Sequence, residues 1–145
     1  MIASHDHCSR LGAARVFFRS RGGGYNSPME HVDFEEVVRE TVAALPGWVH
    51  EAMHNVEILV LDEADAELDP DGEGLLGLYT GVPLPEREAN HAGELPDIIY
   101  ICRRPHLELG LSPNGLHDEI HRTLVHEIAH YFGMDDDYIE ELGWG

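Results

Sequence analysis

One stretch constrains this chain more than any other: Thr123-Leu124-Val125-His126-Glu127-Ile128-Ala129-His130-Tyr131-Phe132-Gly133-Met134-Asp135-Asp136. Two histidines four residues apart on a helix stand about 40° apart around the axis, so His126 and His130 can grip one ion. Glu127, one step on, is placed to reach a water at that ion rather than the ion itself. With His126 at 0°, Val125, Ile128, Ala129 and Phe132 fall between roughly 200° and 300°, so the helix has a core face separate from its ligand face. Gly133 can take a positive φ and turn the chain, which lets Asp136 swing back as a third ligand. Asp135, Asp137, Glu140 and Glu141 are the alternatives if that turn closes differently. Two imidazoles and one carboxylate leave a fourth position open, as in catalytic rather than structural zinc sites.

The specificity of this signal depends on composition. With 11 His in 145 residues and an acidic balance, a shuffled chain would show about 0.1 His-Glu-x-x-His matches; requiring the Gly and the Asp lowers this to about 0.001. The chain itself supplies a second short match, His50-Glu51-Ala52-Met53-His54. That copy sits between the helix breaker Pro46-Gly47 and an apolar alternation starting at Val56, which leaves scarcely two helical turns. The positions corresponding to the Gly and the Asp are Glu57 and Val60, so it has neither turn nor third ligand.

The chain's 16.2 kDa suits a single domain that buries roughly two-thirds of its unfolded surface, so a metal is expected to serve chemistry more than folding. Nine basic residues stand against 28 acidic ones, a net charge of −19, and a body this acidic repels phosphate backbones, which argues against nucleic-acid partners. No apolar run reaches the ~18 residues of a membrane span, and the N-terminus lacks the apolar stretch of a signal peptide. The expectation is a soluble, cytoplasmic protein without a membrane partner. Cys8 and Cys102 are too few for a disulfide framework and read as reduced thiols.

Residues 1–28, with four of the nine Arg, Gly22-Gly23-Gly24 and no clean period, read as a flexible and dispensable N-terminal arm, leaving 29–145 as the domain. Apolar positions from Val32 to Leu45 recur at helical spacing until Pro46-Gly47. Val56 to Leu61 alternates as a strand before the acidic run Asp62 to Glu73, which reads as a solvated loop. Leu75–Val82 and Ile98–Cys102 read as two further strands. Pro113 and Asn114 open a long helix to about Phe132, which Gly133 ends, and Asp135–Leu142 adds a short final helix. His117 and His121 are also four apart but point away from the ligand face. The fold class is α+β: a minimal, mainly three-stranded sheet packed on one long helix.

At these residues the sequence resembles the small single-domain bacterial zincin-like metallopeptidases. The resemblance covers about residues 32–144, through Phe34-Glu35-Glu36-Val37-Val38, Leu76-Gly77-Leu78-Tyr79-Thr80-Gly81-Val82-Pro83-Leu84, Leu95-Pro96-Asp97, the stretch Arg122 to Asp136, and Leu142-Gly143-Trp144. It implies a minimal zincin domain in which His126, His130 and Asp136 ligate Zn2+, Glu127 is the catalytic acid/base, and the substrate is a peptide or protein. Only nine residues follow Asp136, so a downstream Met-containing turn is absent. A hydrolase of this kind activates water at the metal, with Glu127 moving the proton. The alternative is a zinc-binding or partner-binding module that keeps the frame without turnover. Tyr79, Tyr131 and Tyr138 are the candidate oxyanion donors, and the strand at Leu78–Gly81 could pair with an extended peptide.

Overall fold

The computed structural model describes residues 9–11, 14–18, 34–53, 55–86 and 95–143. Strands β1 (Ser9–Leu11) and β2 (Ala14–Phe18) precede helices α1 (Phe34–Ala43) and α2 (Gly47–Ala52). Then come β3 (Val56–Leu61), β4 (Gly77–Thr80), β5 (Asp97–Cys102), α3 (Arg103–Glu108), α4 (Pro113–Tyr131) and α5 (Asp136–Glu141). The fold is the expected α+β arrangement around a long helix.

The sheet runs β1-β2-β3-β5-β4. Its centre is the parallel pair β3 and β5, in register from Val56 opposite Asp97 to Leu61 opposite Cys102, and β4 closes one edge antiparallel to β5. These are the three strands the sequence predicts. The structure adds β2 parallel to β3, with Arg15 opposite Glu57 and Phe18 opposite Val60, and β1 antiparallel to β2. Both lie in the span read from sequence as an arm. Strands of three and five residues are too short to display a period, although Val16-Phe17-Phe18 has the composition of a strand. The rest of that span, including His5, His7, Cys8 and the glycine run, lies outside the described residues, as do Val32, His54 and Trp144.

Burial alternates strictly along β3, and the inward residues Val56, Ile58, Val60, Ile99 and Ile101 meet Val38 and Val42 of α1 and Leu116, Ile120 and Leu124 of α4. This is a sheet with one face on the core. Burial also pushes the Cys102 thiol up to about 11, because desolvation penalises the thiolate. Among the described residues no helix is long and apolar enough to cross a membrane.

Helix α4 starts where the sequence predicts. Ser112 accepts the Gly115 N–H at 3.1 Å as N-cap and Pro113 occupies the first turn. Its inward stripe fixes the roll of the helix and so the direction in which His126 and His130 project. Of the expected core face, Ile128 and Ala129 are buried. Val125 is half-buried and Phe132 packs against the core from its edge; all four line an apolar groove between α4 and the α1–α2 corner, where Trp48 meets Phe132 at a ring separation of 5.8 Å.

Candidate metal centre

The end of α4 builds most of the centre. Gly133 takes φ +88°; its N–H bonds the His130 carbonyl at 2.9 Å and the Met134 N–H bonds the Ala129 carbonyl at 3.1 Å. This is a Schellman turn. A Cβ at Gly133 would come within 2.7 Å of Pro85 Cγ, so the loop before β5 packs directly on the turn. Beyond it, Asp135 caps α5 by accepting the Tyr138 N–H at 2.8 Å. With Asp135 committed to capping, the first residue of α5, Asp136, carries the carboxylate that faces α4.

Three donor atoms converge there. His126 Nε2 lies 3.0 Å from His130 Nε2 and 3.1 Å from Asp136 Oδ1, and His130 Nε2 lies 3.2 Å from the same oxygen. Tetrahedral ligands at zinc bond lengths stand about 3.3 Å apart, so the triangle has the size such an ion requires. Its chemistry fits as well. His130 Nδ1 is 3.0 Å from the Met134 carbonyl, an oxygen that can only accept. Nδ1 therefore carries the proton and Nε2 presents its lone pair to the centre. The turn that ends the helix thus also sets the tautomer of a candidate ligand. Among the described residues this is the one group of three His, Cys, Asp or Glu side chains gathered tightly enough for a metal ion.

Glu127 is 8% exposed. Desolvation pushes its carboxyl up to about 7, against the opposing pull of His130 and of the Tyr79 backbone N–H. A model of zincin-like metallopeptidases matches residues 53–144 of the chain. The chain belongs to the zincin-like metallopeptidase family. No curated protein is similar enough to the sequence to count as a relative.

A zincin-like centre needs a cleft. Here a cavity of about 710 Å³ opens over His126, Glu127, His130 and Asp136, walled by Leu75, Leu78, Tyr79, Pro83 and Pro85. The three candidate oxyanion tyrosines separate clearly. The Tyr131 hydroxyl is in the core and donates to the Ala52 carbonyl at 2.6 Å. Tyr138 is an exposed residue of α5 outside the cleft wall. Tyr79 lines the cleft, but its hydroxyl donates to Asp97 Oδ2 at 2.5 Å.

Among the described residues, His50 and Glu51 of the second short motif join no such group. Its helix, α2, ends at Ala52 with Met53 as C-cap, and His54 lies outside the described residues. His117 and His121 are exposed residues of α4 away from the cleft. Sequence reasoning missed Asp97 and the Tyr79 backbone amide. Asp97 stood in the Leu-Pro-Asp segment, one residue before the expected strand, and its burial at 3% exposure is the signal only the fold reveals.

Proposed function

We propose that this protein is a zinc-dependent peptidase acting on peptide or protein substrates, with His126, His130 and Asp136 holding the metal and Glu127 as general base. The observation that carries this reading is the convergence of three lone-pair donors within 3.0–3.2 Å of one another, beside a buried carboxyl whose affinity for a proton is raised to about 7. When bound, zinc would supply Lewis acidity toward a peptide carbonyl and toward water. The protein's own residues supply the rest. His130 is locked by the Met134 carbonyl and Asp136 is delivered by the turn at Gly133. Glu127, in the cleft wall between the ligands and β4, accepts a proton from the attacking water and returns it to the leaving nitrogen. A carboxyl with a proton affinity near neutrality suits both halves of that transfer.

Replacing Glu127 by Gln tests the reading, because it keeps size and a hydrogen-bonding end but removes the base. Zinc content measured by atomic absorption should match wild type, while cleavage of a peptide library should fall by about 100-fold or more. Cleavage that survives equally in the variant would exclude Glu127 as base. Zinc-loaded wild type that cleaves nothing would favour the zinc-binding module without turnover.

A further inference from the structure

Strand β4 touches the general base through its backbone, and the register of the sheet explains how. The Cys102 N–H donates to the Leu76 carbonyl at 2.9 Å. Hydrogen-bonded pairs alternate along an antiparallel ladder, so Leu78 is bonded to Tyr100 while the N–H and C=O of Gly77 and Tyr79 point off the sheet edge. The Tyr79 N–H is the donor that reaches the Glu127 carboxylate. Two glycines make the approach possible. A Cβ at Gly77 would lie 2.7 Å from Thr123 Cγ2 and 3.2 Å from Glu127 Cγ, and one at Gly81 would fall on the Asp97 carboxyl group.

Tyr79 is therefore gripped at two points. Its amide meets Glu127 across the edge, and its hydroxyl meets Asp97, a carboxylate 3% exposed at the start of β5. Burying a carboxylate is costly unless it is hydrogen-bonded, and the Tyr79 hydroxyl is one donor that offsets this cost. We propose that Asp97 is a positioning residue for Glu127: by anchoring the Tyr79 hydroxyl it holds the Tyr79 backbone amide on the catalytic carboxylate. The role of Glu127 as base is the reading argued above, and the anchoring is a separate physical claim.

Hydrogen exchange at two neighbouring amides, followed by NMR in the full-length protein, tests the anchoring without any turnover. The amide of residue 79 points off the sheet, so its protection depends on Glu127, whereas that of Leu78 depends on β5. In Asp97→Ala and in Tyr79→Phe, protection at residue 79 should fall about tenfold or more with Leu78 unchanged. Asp97→Asn, whose amide oxygen still accepts from the hydroxyl, should restore it. Equal loss at both amides, or protection at residue 79 that persists in Tyr79→Phe, would overturn the proposal. Tyr79→Phe keeps the ring and carries the test should Asp97→Ala fail to fold. Where turnover is measured, kcat should fall with KM unchanged in Tyr79→Phe and Asp97→Ala, and the double variant should be no worse than either single one. Additive losses would count against a shared path. If no Glu127-dependent cleavage exists, the peptidase reading fails while the amide measurements still decide the anchoring.

Discussion

The chain carries the same five-residue pattern twice, and among the described residues only one copy gathers three candidate ligands. His50 and Glu51 lie on a six-residue helix that ends at Ala52, before the pattern is complete. His126 and His130 lie on a nineteen-residue helix that has run for more than three turns before His126 and is capped two residues after His130. Seven residues after its first histidine, the first copy has Glu57, inside strand β3; the second has Gly133, in a left-handed turn. The spacing of two histidines is thus a small part of what makes a metal site. A continuous helix is needed to project both rings together, a turn to reverse the chain, and a capped second helix to return a carboxylate.

Removing the ligands should break this comparison most severely. A His126→Ala, His130→Ala double variant should lose its zinc altogether, as measured by metal analysis after dialysis, while His50→Ala should keep it; the opposite outcome would reverse the assignment. Asp136→Ala should weaken zinc binding by more than the about 10–100-fold typical of losing a supporting residue.

Gly133→Ala sharpens the role of the turn. An alanine at φ +88° is strained and would press on Pro85, so about 1–3 kcal/mol of stability should go in denaturant unfolding, together with zinc affinity, because the turn orients His130 and Asp136. Deleting residues 1–28 makes the complementary change. It strips β2 from β3 next to the first copy and leaves α4 untouched, so the thermal midpoint should fall by about 5 °C or more with zinc stoichiometry unchanged.

A pH series tests the buried carboxyl of the second copy. In the metal-free protein the folded state holds the Glu127 proton up to about pH 7, whereas the unfolded chain releases it near 4.5. Between those values the folded state binds more protons, so this group's contribution to stability declines as pH rises. Glu127→Gln should therefore raise the metal-free midpoint relative to wild type at pH 8, with the gap closing toward pH 4.5.

The long helix, its cap, its glycine end and the three central strands were legible because each has a strong local cause: Ser112-Pro113, Gly133, and alternating or β-branched runs. The candidate ligand group was legible for a similar reason, since all three residues sit within one helix and one turn. Other parts had no local signature. α2 and α3 are six residues each, too short for a period, and α3 includes Pro105. β2 gains its strand character by pairing with β3, and β1 by pairing with β2. Asp97 and the Tyr79 amide join the site through sheet register, which joins residues far apart in sequence and leaves no spacing to read.

Asp136 is 77% exposed in its side chain, against 26–27% for the two histidines. One of the three candidate ligand groups therefore remains open to bulk solvent. Water and small chelators can compete for that ligand without any unfolding, so release can begin by lifting one carboxylate from a pair of rings that stay in place. Exchange of the ion should accordingly be fast for a centre of this composition. Occupancy would then follow the free zinc of the surroundings, and a chelator such as EDTA should strip the protein at a rate that depends on chelator concentration rather than on the rate of global opening.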